Sequence, residues 1–552
     1  MIKYHLFAFL ITICLFYPNP VYSYAKPPTD KPYINVVIPF RGRDYWQQLH
    51  RVTPLFDFLI VQNRPLTVLI QYQNLSDPEI INYLKSFPSI FEIGLFLEVD
   101  ESLANDTYSS YLYGIGDRAH ANKILLSGYT VSERKRMIDR AFKEFFRVFK
   151  LYPKSVGAWY IDSVSLNYLQ KKYSVRAVLD VADQYQTDTY GLWGKPWGIP
   201  YIPSKYNPLL PYQNIGDDGG IVKLQWAARD PLLGYGLTAF NSTYSVQAND
   251  YIKAHLLDNE YFKHLSDIYL FSPNTLNQLT VGLEAGQEGF GFLEEFKKQF
   301  THLSANRFVT MEKFAGIFRQ ILPQKTAIAG KNFFNDNSGI WFNFPQFRAY
   351  FVLEDKQLIL RDLRQYDNPF FFPDVFFKDK NKNLQRFLPF CLDYSLSGKQ
   401  YILAAGIDNL QLSHDREDIN LDFQGLLKNS RLTLNPSGIY FDGKSLYRHK
   451  NNILLNNVLI RFFYNLILEI QTGRRSNLYH GPLVSRIEND YYLGIPLYPD
   501  YLVGVKSHPP FAGIFKFPFQ TLSKFKSPDF DSILFHFAHR FINDKLNCKI
   551  NL

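Results

Sequence analysis

The stretch Pro153–Trp197, PKSVGAWYIDSVSLNYLQKKYSVRAVLDVADQYQTDTYGLWGKPW, contains two short apolar runs that each end near an aspartate. Ser155–Tyr160 precedes Asp162, Val175–Ala182 precedes Asp183, and a segment with a helical pattern lies between them. Strand, acid, helix, strand, acid is the pattern of consecutive βα units. In barrels built from such units, the carboxyl ends of the strands line the active site. Both aspartates are therefore candidate site residues, although an acid just after a strand is about as often a helix cap.

The same alternation extends in both directions from this stretch. Five more apolar runs of strand length are separated by segments with a helical pattern: Asn35–Phe40, Leu66–Tyr72, Glu92–Val99, Ile221–Trp226 and Gln278–Leu283. Strongly apolar strands fit a parallel sheet that is buried on both faces. A barrel is favoured over an open sheet because it would bring the acid-bearing strand ends to one place. The sequence thus predicts a distorted (β/α)7 barrel over residues 30–325.

From about Lys331 the pattern changes to short alternating or aromatic runs, which predict a β-rich accessory domain over residues 330–552. The runs are Trp341–Leu353, Gln357–Leu363, Gln400–Ala405, Gly438–Phe441, Tyr491–Ile495, Tyr501–Val505 and Val458–Ile470, the last of which is long enough to be a helix. No site is evident in this part of the sequence.

Residues 1–25 read as a secretory signal peptide. Lys3 precedes the mostly apolar run Leu6–Tyr17, which is too short to span a membrane and ends at Pro18. No later run is long and apolar enough to span a bilayer. We therefore expect a secreted or cell-surface protein.

Charge and cysteine content exclude further classes. The net charge is +9, but the basic residues are dispersed and show no nucleic-acid-binding motif. After signal cleavage only Cys391 and Cys548 remain, which allows one disulfide or two buried free thiols. Neither a disulfide-rich scaffold nor a cysteine metal site is indicated.

Several charged and aromatic residues lie at or near the predicted strand ends. The tryptophans Trp159, Trp193, Trp197 and Trp226 could stack on sugars, although any one of them is more often plain core. Basic residues could bind anionic sugars or simply pair with nearby acids; the set is Arg41, Arg43 and Arg229, with Asp44, Glu98 and Asp230. Structural ion pairing is the more common role of such arginines. Glu284 and Glu288 follow the last strand of the series.

Three motifs resemble the glycoside hydrolase/deacetylase barrel superfamily, which includes polysaccharide deacetylases and family 57 glycoside hydrolases. They are EIGLFLEV at 92–99, the element from Pro153 to Asp162, and GLEAGQEG at 282–289. The resemblance covers about residues 33–300 and implies a seven-stranded barrel that acts on carbohydrate.

The resemblance also implies roles for individual residues. Polysaccharide deacetylases carry an aspartate pair at the end of the first strand, where this chain has Arg41-Gly42-Arg43-Asp44. They carry two histidines at the end of the third strand, where this chain has Phe96 and Glu98. The metal ligands are thus missing from their usual places. Family 57 hydrolases have a nucleophilic glutamate after the fourth strand, where this chain has Asp162. Their general acid comes from a later strand and matches Glu284, with Glu288 as its substitute.

The leading hypothesis is a secreted hydrolase that acts on a polysaccharide or cell-surface glycan through Asp162 and Glu284, with no cofactor. Glycosidic cleavage needs one carboxylic acid to protonate the leaving oxygen and one carboxylate to attack or to activate water. A second hypothesis is a metal-dependent deacetylase with Asp44, Glu98 and His120 as non-standard ligands. A third is a non-catalytic barrel that binds glycan.

Overall fold

The structure is a computed structural model, and it describes residues 31–449 apart from 112–119, 188–189, 206, 213–217, 237–243, 254–257, 289–290, 367–383, 389, 408, 416 and 426–428. Beyond residue 449 it describes three strand backbones. The predicted signal peptide, Val458–Ile470, Tyr501–Val505, Cys14 and Cys548 lie outside the described residues.

The first part of the chain forms a nearly closed parallel barrel, as predicted. Its strands, with two hairpin strands (β6, β7) and one short strand (β10), are β1 Tyr33–Phe40, β2 Leu66–Gln71, β3 Phe91–Phe96, β4 Ser155–Gly157, β5 Ala177–Val181, β6 Gln184–Thr187, β7 Tyr190–Trp193, β8 Val222–Trp226, β9 Gln278–Gly282 and β10 Arg307–Phe308. The barrel order is β9-β1-β2-β3-β4-β5-β8, and β10 pairs with the start of β1. All seven predicted barrel strands are confirmed.

The barrel closes between β8 and β9 by side-chain packing. In the described part of the chain these two strands share no hydrogen-bonded ladder. A Cβ atom at Gly282 would lie 1.8 Å from the carbonyl oxygen of Val37 in β1 and 2.6 Å from the indole ring of Trp226 in β8, so only glycine fits between these two strands.

Helices cover most of the outer face of the barrel. They are α1 Arg43–Trp46, α2 Thr53–Gln62, α3 Pro78–Lys85, α4 Glu101–Asp106, α5 Ala121–Ile124, α6 Val131–Phe149, α7 Ser163–Tyr173, α8 Ala248–Lys253, α9 Asn259–Leu270, α10 Leu293–Leu303 and α11 Met311–Ile321. Helix α6 begins with a capping box, in which Thr130 and Glu133 each accept a hydrogen bond from the other's backbone N–H. Helix α7 is capped by Asp162, which is one of the two roles that the sequence left open for this residue.

The described chain between β5 and β8 has no helix. It runs through the β6–β7 hairpin and an irregular segment, and Asp180 of β5 and Lys223 of β8 are buried beneath it. Lys195 from the irregular segment donates to Asp180, and so does Lys223. A polar cluster of Asp180, Lys195 and Lys223 thus lies between β5 and β8 and the segment above them, where a helix packs on other barrel strands.

The second part of the described chain is antiparallel β-sheet, which confirms the predicted β-rich region. Its elements are β11 Thr326–Lys331, β12 Ser338–Asn343, β13 Phe347–Glu354, β14 Gln357–Gln365, β15 Leu384–Phe387, β16 Leu392–Asp393, α12 Tyr394–Ser397, β17 Tyr401–Ala405, β18 Asn409–Asp415, β19 Asp418–Gln424, β20 Asn429–Asn435, β21 Gly438–Phe441, β22 Lys444–Arg448, β23 Leu483–Ile487, β24 Asp490–Gly494 and β25 Phe515–Phe517. The predicted single run Trp341–Leu353 is two strands, β12 and β13. Strand β15 pairs in parallel with β7 of the barrel insertion.

The barrel and the first antiparallel sheet share a buried interface. Trp197 stacks on Trp341 with ring centroids 4.1 Å apart. Arg348 pairs with Asp183 at the carboxyl end of β5 and, at 3.0 Å, with Asp362 of β14. All three charged side chains are at most 1 % exposed. The interface therefore combines aromatic stacking with fully buried ion pairs.

The structure also bears on two predictions from the sequence, the state of Cys391 and the lack of a membrane-spanning run. Cys391 is disulfide-bonded, which decides between the two alternatives for this cysteine. Among the described residues, no helix combines the length and the apolar character needed to cross a membrane.

Candidate active site at the carboxyl ends of the barrel strands

Two carboxylates from different strand ends meet on one arginine. Arg41 follows β1, and its Nε and Nη2 atoms lie 2.7 and 2.6 Å from Oε2 of Glu284, which follows β9. Its Nη1 donates to Glu98, which follows β3. All three residues are buried. Burial alone would lower the pKa of Arg41, but the charges of Glu284 and Glu98 outweigh it and raise that pKa above its usual value.

Aromatic rings surround this guanidinium. Its central carbon lies 4.8 Å from the ring centroid of Phe96, 5.4 Å from that of Tyr45 and 5.7 Å from that of Trp159. Trp159 in turn packs against Trp226, with ring centroids 5.6 Å apart. The cation and its carboxylates thus lie in a largely apolar surrounding, where charge interactions are stronger than in water.

Glu288 lies beside Glu284 in the turn after β9. Its Oε2 accepts from the backbone N–H of Glu284 at 3.2 Å, and its Oε1 accepts from the side-chain amide of Asn249 at 2.6 Å. Both donors are neutral. Glu288 thus shares one turn with Glu284 and is held by its own hydrogen bonds.

Asp162 has other partners than Glu284. Its carboxylate caps α7 by accepting from the backbone N–H of Ser165 at 2.9 Å and from its hydroxyl at 2.7 Å. Arg134 of α6 lies 3.0 Å away and completes a buried ion pair. The structure brings Glu284 together with Glu98 and Glu288, whereas Asp162 joins α6 to α7. The cap alternative raised by the sequence is thus observed, and catalysis by Asp162 stays a prediction.

Asp100 is a buried acid at this face that sequence reasoning missed. It accepts from the backbone N–H groups of Gln73 and Leu103, each at 2.8 Å. Burial raises the pKa of Asp100 to about 6, against the opposing effect of these two donors. The signal was present, because Glu98 and Asp100 alternate with the apolar Leu97 and Val99 just after β3.

The predicted site residues after β5 and β8 lie in the interface between barrel and sheet. Asp183 accepts from the backbone of Gly194 and Lys195, and the Trp193 indole donates to Asp393 at 2.8 Å. Trp193 and Trp197 are 0 % and 1 % exposed, which leaves no ring face open to a sugar in this conformation.

Arg229 and Asp230 lie on the same side. Arg229 donates to the Asp183 carbonyl at 2.6 Å and to Gln184, and burial lowers its pKa to about 10. Asp230 accepts from the backbone of Leu232 and Leu233. Both side chains hold the turns after β5 and β8.

Arg43 and Asp44, two candidate site residues that follow β1, are partly buried and exposed, respectively. Arg43 pairs with Asp77 at 2.6 Å and with Glu79 at 2.7 Å, while Asp44 is exposed. Arg41 is paired with acidic residues as well. Two of the three arginines that could bind an anionic sugar therefore have acidic partners, and such ion pairing is the structural role that the sequence left open.

The alternative metal site required Asp44, Glu98 and His120. His120 occupies the position before α5, and Glu98 is bound to Arg41. Within the described ranges, no group of three or more His, Cys, Asp or Glu side chains is arranged to hold a metal ion. The proposed ligand set is therefore not assembled in this structure.

The chain is similar to one family model and to several solved structures. A family model for DUF3863, a domain of unknown function with a solved structure, matches residues 106–340. No curated protein sequence matches the chain. A candidate glycoside hydrolase/deacetylase from Parabacteroides distasonis shares 16% identity at a TM-score of 0.49, over 62% of this chain and 87% of that one.

Two other solved structures are more distant. A candidate polysaccharide deacetylase from Mycobacterium smegmatis shares 13% identity at a TM-score of 0.30, over 55% of this chain and 95% of its own. Puue allantoinase shares 11% identity at a TM-score of 0.32, over 54% and 95% of the two chains. These likenesses are too weak to transfer an activity, and the barrel assignment rests on the strand order described above.

Proposed function

We propose that this protein is a secreted hydrolase that adds water across a glycosidic bond of a polysaccharide or cell-surface glycan, at the carboxyl ends of its barrel strands. The observation that carries the proposal is the convergence of Glu98 and Glu284 on Arg41 beside Trp159 and Trp226. Active sites of parallel α/β barrels lie at this end. Secretion is supported by the N-terminal sequence and by the disulfide at Cys391.

Position supports distinct roles for the two glutamates after β9. Arg41 holds Oε2 of Glu284 through Nε and Nη2, which fixes the orientation required of a carboxylate that attacks the anomeric carbon or activates water. Glu288 lies in the same turn as Glu284 and is the second carboxyl group that glycosidic cleavage needs, as the proton donor to the leaving oxygen. Glu98 fixes the other side of Arg41 and thereby the position of Glu284.

The test is hydrolysis of a polysaccharide panel by the full chain and its glutamate variants. We expect Glu284→Gln and Glu288→Gln each to lower kcat by roughly 10²–10⁴-fold, the range of general acid–base contributions. Glu294→Gln is the matched control, since Glu294 is exposed on α10 and pairs only with Lys297 among its described contacts. Full activity of Glu284→Gln with a panel substrate would refute the assignment.

A further inference from the structure

The hydrophobic core of the second part of the chain is open along one edge. This core is shared by the sheet of strands β11–β14, β16 and β17 and the sheet of strands β18–β22. Seven of the eight residues of β13 are buried, whereas none of the five residues of β17 is buried. Among the described residues β17 pairs only with β14, so it is an edge strand of its sheet.

Cys391 lies on the same edge as β17. Its backbone N–H donates to the carbonyl of Leu363 in β14 at 2.8 Å, and the next residue, Leu392, is the cross-strand partner of Leu363. Ile402 of β17 is 55 % exposed. Four more side chains along this edge pack against the core but stay partly exposed, and with Ile402 they form what we call the open rim: Cys391, Tyr401, Leu403 and Ala404.

The disulfide of Cys391 indicates which part of the chain reaches the open rim. Cys391 is disulfide-bonded, and the sequence has only two other cysteines, Cys14 and Cys548. Cys14 lies in the predicted signal peptide, which is removed on export, so Cys548 is the partner that remains. The Cα atoms of two disulfide-bonded residues are usually about 4.4–6.8 Å apart. A bond between Cys391 and Cys548 therefore brings the residues around Cys548 to the rim.

The sequence around Cys548 supplies what the open rim lacks. Residues 546–552, LNCKINL, alternate strictly, with Leu546, Cys548, Ile550 and Leu552 separated by asparagine or lysine. Alternation of this kind predicts an extended segment with one apolar face. Because Cys548 lies on that face, a disulfide to Cys391 would turn its apolar neighbours toward the partly exposed side chains of the rim.

The length of this segment also fits the rim. Leu360 pairs with Tyr401 and Leu363 pairs with Leu392, so Cys391 and Tyr401 lie about four residues apart along β14, roughly 13 Å. Leu552 follows Cys548 by four positions and can span the same distance in an extended chain. A segment that starts at the disulfide therefore reaches β17.

We propose that residues 546–552 dock on the open rim, joined to it by a disulfide between Cys391 and Cys548, and complete the core of the second part of the chain. Residues 367–383 also lie outside the described part and are rich in phenylalanine, but they contain no cysteine and would leave the disulfide unexplained. The disulfide is formed within a single chain, which favours the chain's own segment over that of a second copy. The inference rests on the proposed secretion only for the removal of Cys14, and not on hydrolytic activity.

The first experiment is peptide mapping, without reductant, of the full-length chain expressed in a secreting host. Trypsin should release residues 387–399 joined to residues 546–549 from protein that elutes as a monomer. A bond between Cys391 and Cys14 would overturn both this inference and the proposed secretion. A free Cys391 thiol, or a bond between two chains, would overturn this inference alone.

Hydrogen–deuterium exchange then measures whether the segment covers the rim. Ile550→Asn keeps both cysteines, and we expect it to make backbone exchange in Tyr401–Ala405 about tenfold faster, because a buried apolar side chain is lost. Lys549→Asn is the matched control, since it changes the opposite face of the segment and should leave exchange in β17 unchanged. Exchange in Asn429–Asn435 of β20 should stay the same in both variants. Unchanged exchange of β17 in Ile550→Asn would overturn the docking even where the disulfide is found.

Discussion

At the scale of single residues, one feature of this molecule is a cluster of buried charged side chains beside β5 and β8. Asp180 accepts from both Lys195 and Lys223, and all three side chains are at most 1 % exposed. Two ammonium groups on one carboxylate leave the cluster with an excess positive charge when both are protonated. Burial lowers the pKa of Lys223 to about 8, although the charge of Asp180 opposes this shift.

This shift predicts a rise of stability with pH. Lys223 has its usual pKa of 10.5 in the unfolded chain and about 8 in the folded protein, so the unfolded chain binds more protons between these values. The free energy of unfolding should therefore increase as the pH rises from about 8 to 10.5. Urea titrations across this range should show the increase, and Lys223→Met should flatten it. Equal slopes for both proteins would contradict the assignment.

At the scale of secondary-structure elements, Asp162 connects two helices. It caps α7 and pairs with Arg134 of α6, so both helices depend on one side chain. Asp162→Asn keeps the shape but leaves Arg134 buried without its counter-charge. We expect a loss of about 3–5 kcal/mol in the free energy of unfolding, the usual result of breaking a buried pair.

Activity separates this role from catalysis. If Asp162 serves α6 and α7, the activity per folded molecule of Asp162→Asn should stay within about twofold of the parent. A loss of 10²-fold or more, the smallest usual general acid–base contribution, would instead support the catalytic assignment from sequence. Asp77→Asn is the control, because Asp77 also caps a helix but pairs with the partly exposed Arg43.

The sequence predicted the barrel well because its strands are nearly continuous apolar runs. All seven runs became strands. The site was harder to predict, since Glu98 and Glu284 are 186 residues apart and meet only through Arg41. Trp193 and Trp197 looked like a sugar-facing loop because nothing local shows that Trp341 and Asp393 cover them.

At the scale of the whole molecule, the predicted boundary between residues 325 and 330 marks a change of sheet type. Strand β11 begins the antiparallel part at Thr326. The parts nevertheless share the Arg348 ion pairs with Asp183 and Asp362 and the stacking of Trp197 on Trp341. These groups are buried on both sides of the interface, so the first antiparallel sheet packs against the barrel and shields this part of it from solvent.

This interface predicts that the barrel is not stable alone. A chain that ends after Lys325 would expose Trp193 and Trp197 and leave Asp183 without Arg348. We expect it to aggregate or to lack a cooperative thermal transition, whereas the full chain shows one. Near-ultraviolet circular dichroism and differential scanning calorimetry measure the difference. A cooperative transition and native-like tryptophan signals in the truncated chain would contradict the prediction.

The parallel pairing of β15 with β7 has a consequence for synthesis on the ribosome. Leu384–Phe387 must lie beside Tyr190–Trp193, almost 200 residues earlier in the chain. At about 5–20 residues per second, the ribosome needs roughly 10–40 s to supply the partner strand after β7 emerges. During that interval the tryptophans beside β7 lack their cover. We therefore expect the nascent barrel to be prone to aggregation until the second half of the chain has been synthesised.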